Sequence, residues 1–111
     1  MKFIGIYDDI LKPDDCNVIV QYYTKHPDKE EGKIGYGFVD PELKDSTDLY
    51  TRFSESSLTH RIIYSALVKA FGQYEEEHEN LKHTDRFTLC DSFNIQHYNP
   101  KGGFKLWHHE T

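Results

Sequence analysis

Asn94-Ile95-Gln96-His97-Tyr98-Asn99-Pro100-Lys101-Gly102-Gly103-Phe104-Lys105-Leu106-Trp107-His108-His109-Glu110 is the stretch on which the fold turns. It reads as two extended runs hinged at Asn99–Gly103, where proline and paired glycines favour a reversal. At a period of two, the second run puts Phe104, Leu106, His108 and Glu110 on one face of a strand. Lys105, Trp107 and His109 take the other face. In the first run Asn94, Gln96 and Tyr98 share a side, opposite Phe93, Ile95 and His97. A row of Asn, Gln and Tyr suits a wet, ligand-lined cavity better than a dry core. An imidazole and a carboxylate two residues apart can hold one metal ion, filling two of the three places of a 2-His-1-carboxylate iron site. A bulge would exchange His109 for His108. The plainer alternative is a charged strand end in which His-x-Glu is incidental.

Working outward, the 111 residues suffice for a single domain, 1–111, with one core. Hydrophobic content is only 37%, yet aromatics reach 14% with eight Tyr and seven Phe, so rings rather than aliphatics are expected in that core. Mean hydropathy is -0.75, in keeping with a largely polar surface. A formal charge of -6 and the lack of a basic cluster argue against nucleic-acid binding. The opening Met1-Lys2-Phe3-Ile4-Gly5-Ile6-Tyr7-Asp8-Asp9 turns acidic too soon for a signal peptide, and no apolar run is long enough to span a membrane. Cys16 and Cys90 stand apart with no paired spacing. Free thiols and a cytoplasmic location are expected.

Phe3–Tyr7 predicts a short opening strand. Pro13 followed by Asp14 and Asp15 predicts a helix start, with Cys16, Ile19, Val20 and Tyr23 as its buried stripe and His26-Pro27 as its end. The glycine-punctuated stretch from Gly32 to Val39 predicts an irregular strand or hairpin arm. Asp40-Pro41 turns it, and Lys44–Asp48 is a polar run before an extended segment at Leu49–Phe53. Ser56-Ser57 supplies an N-cap for the longest helix, reaching about Leu81, with Ile63, Leu67, Ala70, Phe71 and Tyr74 inward. Four glutamates near its C-terminal end predict fraying there. From Phe87 to Tyr98 two strands are expected, broken near Asp91-Ser92.

Other constellations carry less. Glu75-x-x-His78 occurs once, whereas di-iron bundles need the motif twice. His26 and His60 flank helices and read as surface or capping residues. Cys90 has no base partner in its segment, and no phosphate loop, dinucleotide fingerprint or nucleophile elbow is present.

Residues 94–110 resemble the Fe(II)- and 2-oxoglutarate-dependent oxygenases of the prolyl-4-hydroxylase-like group, in the forms found in phage and marine bacteria. Members carry a Q-x-Y strand that leads through a Pro/Gly turn to a strand with H-x-D or H-x-E. The resemblance implies an α+β fold, a partial double-stranded β-helix (jelly roll) with two helices packed on the sheet. It implies Fe(II) on His108 and Glu110, and 2-oxoglutarate beside Tyr98 and Gln96. The family also uses a distal histidine and a basic residue that anchors 2-oxoglutarate, and neither has a counterpart here. The chain therefore reads as the N-terminal part of such a hydroxylase, acting on a small-molecule or peptidyl substrate. Exposed strand edges in a half-barrel predict a homo-oligomer paired through the segment from Phe87 to Thr111. The alternative is a non-catalytic α+β interaction module that self-associates through its C-terminal strands.

Overall fold

A computed structural model describes residues 3–54, 57–83 and 88–108. The chain is α+β, with two helices and a three-stranded antiparallel sheet among the described residues, and it divides into two compact units. One is built from Met1–Thr24 and Arg52–Asp91, the other from Lys25–Thr51 and Ser92–Thr111. Among the described residues no helix is long and apolar enough to cross a membrane.

The first unit is helical. Helix α1 spans Pro13–Lys25, with Asp14 and Asp15 in the first turn and Lys25 in the last, so both ends complement the helix dipole. Its inward face departs from the expected stripe. Cys16 and Val20 are exposed, while Val18, Ile19, Tyr22 and Tyr23 are half-buried. The face is thus turned so that the Tyr22 hydroxyl meets His60 Nε2 at 3.0 Å. Helix α2 spans Leu58–Glu77 and is capped by Ser57, whose side chain accepts from the His60 backbone N–H at 3.4 Å. Ile63, Ala70, Phe71 and Tyr74 are half-buried as the period predicts, and so are Ile62 and Ala66, though Leu67 is exposed. The helix stops short of Leu81, and a 3-10 turn at Glu79–His83 follows. Three successive glutamates, 75–77, sit at the negative end of the dipole, which opposes continuation.

His60 is not the surface or capping residue expected. It is 5% exposed, with Tyr22 and Phe53 set edge-on to its ring at 5.4 and 6.4 Å. Ser54 N–H donates to its Nδ1 at 2.7 Å. The expected opening strand is absent too. Phe3, Ile4 and Ile6 are mostly exposed, and the segment is held by side chains of α2 instead of a ladder. Tyr74 donates to the Phe3 carbonyl at 2.8 Å, and the Tyr7 hydroxyl donates to Glu77 at 3.1 Å. Desolvation first, then this bond to a carboxylate, pushes the Tyr7 phenol above its ordinary value.

The second unit carries the sheet, in the order β1 (Glu30–Glu31), β2 (Thr47–Arg52), β3 (Ser92–His97). Strand β1 pairs antiparallel with β2, Glu30 opposite Asp48 and Glu31 opposite Thr47. Leu49 on β2 is fully buried, and no other apolar residue among those described is. The glycine-rich arm forms a small closed loop: Ile34 N–H bonds the Phe38 carbonyl at 2.7 Å around a 3-10 turn at Gly35–Gly37. Tyr36 there sits at φ 61°, in the left-handed region, and is fully exposed.

Candidate functional site

The segments of the resemblance lie in the second unit, and they are built upward from β3. Alternation along β3 sets Asn94 and Gln96 on one side, and Tyr98 follows just beyond the strand's end. The Tyr98 hydroxyl donates to Gln96 Oε1 at 3.1 Å, so the two cofactor-binding candidates do meet. The turn after them is tightly specified. Gly102 N–H bonds the Asn99 carbonyl at 2.8 Å, and Lys101 takes φ 70°. A Cβ on Gly102 would lie 2.8 Å from Asp45 Oδ1, so a glycine is needed for the carboxylate to approach. Asp45 accepts from Gly103 N–H at 2.8 Å and pairs with Lys105 Nζ at 4.0 Å.

Past the turn the expected second strand does not form across residues 104–108. One isolated bridge joins Phe104 to Lys44, reinforced by Lys105 N–H to the Leu43 carbonyl at 2.6 Å, and then the chain bends at Leu106. The rings of Phe104 and His108 stack at 3.9 Å, 12° from parallel. Four residues of strand would separate these positions by about 13 Å, so the stack requires a curled segment. Tight coupling of Asp45 to the turn and of Phe104 to Lys44 accounts for the bend: the chain is anchored on both sides of the reversal. His108 is therefore positioned by stacking and not by strand alternation. Glu110 and His109 lie outside the described residues.

Hydrogen bonding places one proton of the His108 ring. Its Nδ1 lies 3.0 Å from the Leu106 carbonyl, which can only accept, so Nδ1 carries the proton. In the neutral ring the lone pair then resides on Nε2, the arrangement found in histidines that ligate metals while donating to a backbone carbonyl. The donor chemistry of His108 with Glu110 suits divalent iron. Among the described residues no three His, Cys, Asp or Glu side chains converge as a metal-binding group.

Sequence reasoning missed the polar cluster beneath this segment. Lys44, Ser46 and Asp48 are all buried. Lys44 Nζ pairs with Asp48 Oδ2 at 3.6 Å, donates to the Lys33 carbonyl at 3.3 Å and lies 5.2 Å from the Phe104 ring centre. Ser46 donates to Asp48 Oδ1 at 2.6 Å, and Asn94 Nδ2 donates to Oδ2 at 3.1 Å. Asn94 Oδ1 is buried with no partner among the described residues. The signal was a period of two in polar residues, with 44, 46 and 48 inward and 45 and 47 outward. A search for alternating apolar residues passes over it. The cluster connects His108 to the sheet: Asp48 pairs with Lys44, Lys44 lies over Phe104, and Phe104 stacks on His108.

Compared with protein-family models, with curated proteins and with solved structures, the chain matches none.

Proposed function

We propose that the chain is part of an Fe(II)- and 2-oxoglutarate-dependent oxygenase whose second unit opens a double-stranded β-helix. His108 and Glu110 would supply two iron ligands, and Gln96 and Tyr98 would line the 2-oxoglutarate pocket. The observation that carries the reading is the His108 ring, whose Nδ1–H is committed to the Leu106 carbonyl. That bond leaves the lone pair of a neutral ring on Nε2, and with the stack on Phe104 it holds the ring's orientation. Bound iron with 2-oxoglutarate would supply oxygen activation and hydroxylation of a substrate. This chain's residues orient the groups: the Tyr98–Gln96 bond fixes a phenol and an amide side by side, and Asp45 fixes the turn that carries the chain from them to His108. Anaerobic addition of Fe(II) and 2-oxoglutarate tests the reading. A weak visible charge-transfer band is expected, lost in His108→Ala; a protein that gives no band, or gives it equally in the variant, contradicts it.

A second reading is supported by exposed apolar surface. Trp107 and Tyr36 are fully exposed and Phe38 is two-thirds exposed, and the outer strand β1 of the sheet has only two residues. Such a surface suits self-association through strand edges. A protein that dimerises at micromolar concentration, binds no Fe(II) and loses the dimer in Trp107→Ser would fit an interaction module instead.

A further inference from the structure

The helical unit carries a cleft that the oxygenase reading does not use. It has a volume of about 260 Å³ and lies between the approach to α1 and one face of α2. Arg61, Ser65 and Lys69 recur along α2 at intervals of four, so they line up on one side of the helix. Neither cation has an ion-pair or hydrogen-bond partner among the described residues, whose ion pairs all lie elsewhere. The Ser65 hydroxyl likewise has none there. Leu11, Ile62 and Ala66 supply an apolar floor beside them. Two unpaired cations and a hydroxyl over an apolar floor are notable in a chain of net charge -6.

We propose that this cleft binds a small aliphatic dicarboxylate. Arg61 and Lys69 are about 12 Å apart along the helix axis, and both have long, flexible side chains. Two carboxylates separated by a few methylenes match two cations separated by apolar surface, and Ser65 can donate between them. The floor matters because it can cover the methylenes between the two carboxylates, while the exposed cations reach over it. Asp15 lines the opposite wall and sets polarity. Its Oδ2 accepts from Lys12 N–H at 3.2 Å, and its charge repels an anion, so the ligand lies along the α2 side.

Amide chemical shifts of the full chain, titrated with adipate and in parallel with hexanoate, test the proposal. Adipate is expected to shift amides of residues 61–69 and 11–15 with millimolar affinity, and hexanoate to bind much more weakly. Arg61→Gln and Lys69→Gln should each weaken adipate roughly tenfold, as loss of one charge-assisted hydrogen bond does. Asp15→Asn should tighten it severalfold. His108→Ala should leave it unchanged, which separates this cleft from the proposed iron site. No shift by about 10 mM adipate, equal binding of hexanoate, or an Arg61→Gln/Lys69→Gln protein that binds like the parent would overturn the proposal.

Discussion

His60 in the helical unit and His108 in the sheet unit are held in opposite senses. His60 is buried, and its Nδ1 accepts from Ser54 N–H, so its proton sits on Nε2 and is given to Tyr22. His108 is exposed, and its Nδ1 donates to the Leu106 carbonyl. The same side chain is thus a buried acceptor at Nδ1 in one unit and an exposed donor at Nδ1 in the other. Backbone groups decide the difference: an N–H aimed at Nδ1 selects one tautomer, and a carbonyl selects the other. Histidine count or spacing in the sequence carries none of this information.

The comparison can be broken by substitution, beginning with the support beneath His108. Lys44→Ala should destabilise the protein by about 3 kcal/mol or more in urea unfolding, because it leaves Asp48 buried without its cation. Replacing Lys44 and Asp48 together by apolar residues should cost less than either single change. A Lys44→Ala loss below 1 kcal/mol would mean that the pair is solvated and that Phe104 is not anchored through it. Next in size, His60→Ala should cost about 2 kcal/mol by removing a buried ring and its bonds to the Ser54 N–H and the Tyr22 hydroxyl. His108→Ala should change stability by no more than about 0.5 kcal/mol, as exposed substitutions do. Equal losses at the two histidines would erase the distinction.

Much of the helical unit was legible in the sequence. Proline with two acids at 13–15 and serine at 57 are local signals, and both helices begin where those signals stand. The sheet unit was less legible because its determinants are long-range. The reversal at Asn99–Gly103 was visible, but its anchor, Asp45, lies 58 residues away from Gly103. Phe104, Leu106 and His108 alternate as a strand would, yet the ring stack and the bridge to Lys44 override that pattern. Lys44, Ser46 and Asp48 point inward as a polar set, so apolar patterning could not find them. The same holds for Phe3–Tyr7, whose apolar run finds side chains of α2 instead of a strand edge. The alternation that puts Gln96 and Tyr98 on one side agrees with their hydrogen bond. The bond that sets the His108 tautomer was not readable, since it depends on a bend.

Smaller effects sharpen the picture of the helical unit. Ser57→Ala removes the cap on α2 and should cost about 1 kcal/mol, read by thermal unfolding. The least effect concerns Tyr7. Its phenol is raised in the folded protein, so folding favours the protonated form. That contribution is complete below the ordinary tyrosine value, near 10.0, and is lost as pH rises through the raised one. Tyr7→Phe should therefore flatten the alkaline limb of stability against pH slightly, and an unchanged limb would show that the Glu77 bond does not persist in solution.

The presented nitrogen of His108 is measured most directly by long-range proton–nitrogen NMR of the imidazoles, with Zn(II) as a diamagnetic substitute for Fe(II). Before metal, His108 should show a protonated Nδ1 and an acceptor Nε2, with the reverse in His60. On adding metal, His108 Nε2 should shift while both nitrogens of His60 stay in place. A His108 ring protonated on Nε2, or one indifferent to metal, would contradict the account.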